Sequence, residues 1–152
     1  QQHLHTLMGR RIALFGLAFK PGTDDRRDAP AVEIAERLVA AGAVVRAHDP
    51  IVRSVPSVPE VEVCATPYEA ADRADAIVLV TEWDEYQAID PARLASVMRG
   101  RLVIDGRNAL SRAQYAAAGL VHESFGRAPR VVMPGNDDAH TVRLTQLAAP
   151  VA

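Results

Sequence analysis

The 152 residues suffice for one domain, and 49% apolar with 24% charged side chains is the make-up of a chain that buries a core. A net charge of −2, with the arginines scattered, gives nucleic acid or a membrane surface little to attract, and no apolar run nears the ~20 residues of a membrane span. One cysteine, Cys64, excludes an internal disulfide and suits a reducing, cytoplasmic compartment.

Strand and helix signals alternate along the chain. "RIALFGL" (11–17) reads as a buried strand. Residues 30–41 put Val32, Ala35, Leu38 and Val39 on one helical face, with Pro30 in the first turn and Gly42 in the left-handed place past the end. "AVVRAHDP" (43–50) is a second strand stopped by an Asp-Pro turn, and a Pro-, Ser- and Val-rich loop leads to a short strand near "VEVC" (61–64). "TPYE" (66–69) starts a helix with Thr66 as cap and Glu69 reaching back, ending near Arg73. "ADAIVLVT" (74–81) is a buried strand, and "TEWD" (81–84) repeats the capping spacing from Thr81 to Asp84. "DPARLASVM" (90–98) is a helix capped by Asp90, "RLVIDG" (101–106) a strand, "SRAQYAAAG" (111–119) a capped helix and "LVHES" (120–124) a last strand. Residues 128–152 hold no sustained period and read as a tail.

Apolar strands alternating with helices imply a single α/β domain: a doubly wound, mostly parallel, Rossmann-like sheet with helices on both faces. Ligands of such sheets sit outside the carboxyl ends of the strands, where the winding reverses. The reversal is expected beside the first strand. The polar ends after three strands should therefore meet: Phe19 and Lys20, Thr81 to Trp83, and Asp105 to Asn108.

The loop "GLAFKPGTDD" (16–25) poses the sharpest question. A Gly-x-Gly-x-x-Gly loop from Gly16 needs glycines at 18 and 21, where Ala18 and Pro21 stand, so neither close pyrophosphate approach nor tight helix packing is provided. Asp49 ends the second strand as a ribose-binding acid would, but lies 33 residues past Gly16 instead of about 20. It reads as a cap on the following turn.

Lys20 is the sole lysine beside 16 arginines. A solvated side chain is the ordinary fate of lysine, yet its place at a strand end, its uniqueness and the flanking Phe19 favour an anionic ligand. Arg107 stands at another strand end, where Gly106 frees the backbone to turn, and a guanidinium suits phosphate or carboxylate. In "TDDRRD" (23–28), Asp28 suits a helix start, while Asp24 and Asp25 read as a solvated, salt-bridged loop. The five histidines show no metal-ligand spacing, Cys64 has nothing near it in sequence to depress its pKa, and Trp83 reads as packing.

"GLAFKPGTDDRRDAP" (16–30), "TEWDEY" (81–86) and "IDGRN" (104–108) together resemble the C-terminal, UDP-binding domain of the UDP-glucose 6-dehydrogenase family over about residues 11–127. The resemblance implies oxidation of the C6 alcohol of UDP-glucose to a carboxylate in two NAD-dependent steps. It also implies an N-terminal domain that binds NAD, a connecting helix, homodimeric subunits, and a catalytic cysteine outside this sequence. By the same resemblance Phe19, Lys20 and Arg107 would contact the UDP-sugar, and Arg27 would reach the NAD. Where the family often has Arg-Glu-Ser-Pro this chain has "RDAP" (27–30), which alters contacts near Arg27. Cys64 lies outside the catalytic cysteine motif. Residues 1–10 would be a connector remnant, and the chain an excised domain inactive by itself, with no catalytic residue or metal of its own. Related GDP-mannose and UDP-N-acetylhexosamine dehydrogenases, a stand-alone nucleotide-binding module and a dimerisation domain are the alternatives.

Overall fold

The computed structural model describes residues 6–24 and 29–125. Six strands, β1 (Arg11–Phe15), β2 (Val44–His48), β3 (Glu62–Val63), β4 (Ala76–Leu79), β5 (Leu102–Asp105) and β6 (Val121–Ser124), form one parallel sheet in the order β3-β2-β1-β4-β5-β6. Five helices connect them: α1 (Pro30–Ala40), α2 (Pro67–Ala71), α3 (Asp84–Gln87), α4 (Pro91–Val97) and α5 (Arg112–Ala117). The strand order reverses between β1 and β4, so the crevice lies where the sequence pattern placed it.

Alternation along each strand divides the core between two faces. Ile12, Leu14, Val45 and Ala47 pack under α1, whereas Ala13, Phe15, Ile77, Leu79 and Val103 pack with residues of α2, α4 and α5. The β2–β3 crossover holds no helix. Its buried Val52, Val55, Val58 and Val61 recur every third residue, and i→i+3 backbone bonds link Val55 to Val58 and Val58 to Val61. Threefold spacing brings each valine back to the same side, so an irregular segment covers the sheet beside α1.

Three helix starts match their sequence signals. Thr66 accepts from the Glu69 amide at 3.1 Å, Asp90 from Ala92 at 2.9 Å and Ser111 from Gln114 at 3.5 Å. Thr81 does not: the residue before α3 is Trp83, without a side-chain cap, and the Thr81 hydroxyl is used elsewhere.

The amino ends of the strands are tied at Asp75, just before β4. Its carboxylate accepts the Arg11 amide at 2.8 Å and Arg99 at 2.8 and 2.5 Å, with Arg10 3.5 Å away. A hollow of about 460 Å³ opens here, lined in part by Arg10, Arg99 and Arg101. Arg101 donates to the Ala95 carbonyl near the end of α4, which is the usual compensation of a helix C-terminus. None of the helices among the described residues is long and apolar enough to cross a membrane.

Candidate functional site

The crevice is built by loops that fasten one another. Gly16, at φ +88°, carries the chain off β1 so close to β4 that a Cβ there would lie 2.5–2.9 Å from Thr81 atoms, backbone included. Only glycine fits both the angle and the space. Beyond it, the amides of Leu17 and Ala18 donate to Asp49 Oδ2 at 2.8 and 3.1 Å, and Thr81 Oγ1 donates to the Ala18 carbonyl at 2.6 Å. Phe19 and Lys20 follow directly and are exposed, Phe19 to 52%.

Asp49 caps the turn after β2, as its sequence position suggests, with Oδ1 accepting from Ile51 and Val52 at 2.9 Å. Its second oxygen does more than the sequence indicates, for Trp83 Nε1 also donates to Oδ2 at 3.3 Å. Five N–H groups therefore converge on one fully buried carboxylate and fill its acceptor capacity. Trp83 packs against both core clusters while it makes this bond.

On the other flank, Asp105 ends β5 with no exposure. Its Oδ1 accepts the Arg107 amide at 3.0 Å, and its Oδ2 accepts the Leu110 amide at 2.9 Å and lies 3.2 Å from His122 Nε2. Gly106 serves here by its lack of a side chain, since a Cβ would stand 2.8 Å from the Leu79 carbonyl that accepts the Gly106 amide. The left-handed residue of this turn is Asn108, at φ +56°, so the freedom expected of Gly106 lies two residues on. The Arg107 guanidinium pairs with Glu82 through Nε–Oε2 and through Nη2–Oε1 at 3.0 Å. The Arg107 hydrogen bond holds the Glu82 carboxyl below the usual range.

Phe19 and Lys20 thus leave a loop locked to Thr81, and Arg107 grips Glu82, the next residue along. Arg27, expected to face NAD, lies outside the described residues. Among the described residues no group of three or more His, Cys, Asp or Glu side chains is placed to hold a metal. Cys64 is buried at the end of β3, and burial pushes its thiol pKa up, the reverse of what a nucleophile requires. Sequence reasoning missed Glu82 as the partner of Arg107 and His122 as the partner of Asp105. "TEWDEY" pointed at the first, while nothing in "LVHES" pointed at the second.

Comparison with known proteins fits this geometry. The profile of the UDP binding domain of the UDP-glucose/GDP-mannose dehydrogenase family matches residues 13–112. The chain is similar to a UDP-glucose 6-dehydrogenase of Pseudomonas aeruginosa, 43% identical over 127 residues that cover 78% of this chain and 28% of that protein. It is likewise 40% identical over 129 residues to the UDP-glucose 6-dehydrogenase YwqF of Bacillus subtilis, covering 83% of this chain and 29% of that protein. It therefore spans less than a third of these curated relatives. Among solved structures, an NDP-N-acetyl-D-galactosaminuronic acid dehydrogenase of Methanosarcina mazei superposes with a TM-score of 0.72 at 30% identity, covering 80% of this chain and 26% of that one. A UDP-glucose dehydrogenase of Pyrobaculum islandicum does so with a TM-score of 0.64 at 32% identity, over 80% of this chain and 26% of that one. The chain belongs to the UDP-glucose/GDP-mannose dehydrogenase family and carries its UDP-binding domain.

Proposed function

We propose that this chain is the UDP-sugar half of an NAD-dependent UDP-glucose 6-dehydrogenase, with Phe19, Lys20 and Arg107 as its ligand contacts. The observation that carries the reading is the saturation of Asp49. In an ordinary dinucleotide site the acid ending β2 binds a ribose and a glycine-rich loop cradles pyrophosphate. Here that acid spends every acceptor site on four backbone amides and the Trp83 indole N–H, and the loop it pins has Ala18 and Pro21 where the glycines would stand, with Phe19 and Lys20 between them. The β1 end therefore does not fit NAD held in that way, and the cofactor belongs to a separate N-terminal domain of the full enzyme.

β1 and β5 flank β4, so their ends stand roughly 10 Å apart, two strand spacings. Lys20 and Arg107, one at each of these ends, are proposed to close around one diphosphate. Charge-assisted hydrogen bonds are worth about 1.5–3 kcal/mol each, so two supply roughly half of the 8 kcal/mol that a micromolar complex requires. The chain's own part is to bind and orient the nucleotide. Hydride transfer and thioester chemistry fall to NAD and to a cysteine elsewhere, for the buried Cys64 suits neither role. Arg27 is proposed to face that NAD from this side. The full enzyme is read as a cytoplasmic homodimer.

UDP-glucose is preferred over other nucleotide sugars because the curated relatives at 40–43% identity bear that name. The alternatives, GDP-mannose and a UDP-N-acetylhexosamine, are separated by titrating the chain with each and following the Lys20 and Arg107 amides. UDP-glucose is expected to move both at the lowest concentration. If millimolar UDP moved neither, the assignment of these contacts would fail.

A further inference from the structure

Arg107 is presented by a turn whose aspartate, Asp105, also contacts a histidine from another strand. Asp105 and His122 meet diagonally across the β5–β6 pairing, where Asp105 is level with Ser124 and His122 with Val103; their side chains are 0% and 1% exposed, with 3.2 Å between Oδ2 and Nε2. Asp105 reaches forward from the same carboxylate to the amides of Arg107 and Leu110, and so closes residues 105–110 into a turn. Rotating that carboxylate would release both amides. Two things hinder rotation: its own amide bonds, and the lateral bond to His122. Among the described residues the imidazole has no other anchor of this kind: its Nδ1 is buried without a hydrogen-bond partner, and the Tyr115 ring stands 5.9 Å away, centroid to centroid.

A buried nitrogen left unpaired destabilises the fold, so a histidine here needs a return that an apolar residue would not give. We propose that His122 is a positioning residue for the diphosphate contact. Its Nε2–H fixes the Asp105 carboxylate, and Asp105 fixes the backbone from which Arg107 extends. Glu82 holds the far end of the same side chain, so the guanidinium is set from both ends. This inference rests on the reading of Arg107 as a ligand contact.

Glutamine can place an amide N–H near the position of an imidazole Nε2, whereas asparagine falls short of it. The test uses the chain with His122→Gln, His122→Asn and His122→Leu, the last burying no amide should the asparagine variant fail to fold. Each is made with Arg107 and with Arg107→Ala, and titrated with UDP. His122→Gln is expected to bind within twofold of wild type, and the asparagine and leucine variants, with no donor in reach of Asp105, about three- to tenfold more weakly, with shifted Arg107 and Leu110 amide signals. In the Arg107→Ala background the same His122 changes are expected to matter less than twofold, because the residue they act through is gone. An equal loss in both backgrounds, or unmoved Arg107 and Leu110 amides, overturns the proposal. A wild-type chain indifferent to UDP fails both readings. One that binds UDP as well with His122→Leu as without it fails this one alone.

Discussion

The Ala18 amide donates to Asp49 Oδ2 across 3.1 Å, joining the loop after β1 to the end of β2 through a carboxylate that solvent does not reach. Asp49→Asn would keep the shape but turn an N–H-bearing group toward donors that now meet an acceptor. Losing at least one of the five bonds and opposing a second donor costs about 2–4 kcal/mol. The urea midpoint is expected to drop accordingly, and the Phe19 and Lys20 amides to exchange faster. An unchanged midpoint would show that the loop stands without Asp49.

Thr81 decides between two uses of one hydroxyl. As a helix cap it would tolerate Asp, a good capping residue. As the donor to the Ala18 carbonyl it would not, because an ionised carboxylate cannot donate and would face that oxygen at close range. Thr81→Asp is therefore expected to destabilise more than Thr81→Val, which costs about 1–3 kcal/mol by leaving a buried carbonyl unpaired. Thr81→Ser should be mildest. Urea unfolding of the three variants gives the order, and a well-tolerated Asp would restore the capping role.

Glu82 is a holder of Arg107, and magnitudes say it is no gate. Both side chains are more than a third exposed, so their attraction is worth at most about 1 kcal/mol. Removing the carboxylate loses that orientation but also relieves its repulsion of a bound phosphate, and the two effects nearly cancel. Glu82→Gln is expected to change UDP affinity by less than about threefold, while Arg107→Ala loses about tenfold, one charge-assisted bond. Calorimetric titration checks both. A large gain in affinity from Glu82→Gln would make the ion pair a gate after all.

The sequence carried the sheet almost entirely, because apolar strands, proline starts and capping residues are local signals. "TPYE" and "DPAR" became capped helices, and the order reversed at β1. What it could not carry were bonds between distant residues. Thr81 and Asp84 stand at capping distance in sequence, but the hydroxyl found a carbonyl 63 residues away. Asp49 was legible as a turn cap from its neighbours alone, whereas its hold on Leu17, Ala18 and Trp83 needed the folded chain. Gly106 shows the same limit: its identity reflects the Leu79 carbonyl pressing on it from β4, and backbone torsion was the wrong reason. The motifs marked where the site lies, and tertiary contacts showed how its loops are held.

Stability should fall with acid in two stages, the first set by His48 and the second chiefly by Asp75, to which the more exposed Glu82, also held low by its arginine, adds a smaller share of the same sign. His48 is buried, with Glu85, Asp49 and Arg53 as charged neighbours and the Tyr86 hydroxyl 3.1 Å from its Nδ1. Burial lowers its pKa from 6.5, and the nearby carboxylates only partly oppose this. The unfolded chain then binds its proton first, so this stability is full above about pH 6.5 and is lost as pH falls toward the folded value. Burial alone would raise the Asp75 pKa, but the Arg99 hydrogen bond and the Arg11 amide outweigh it and bring the carboxyl below its usual 3.8. Its contribution has the same sign, present above that value and lost as pH drops through the folded one. Urea midpoints measured from pH 8 to 3 are expected to stay level to about 7, decline through the histidine range, and decline again below about 4. His48→Gln should flatten the first decline and leave the second, and Asp75→Asn should leave the first and flatten most of the second, at the cost of a lower starting midpoint. A first decline that survived His48→Gln would assign it to another group.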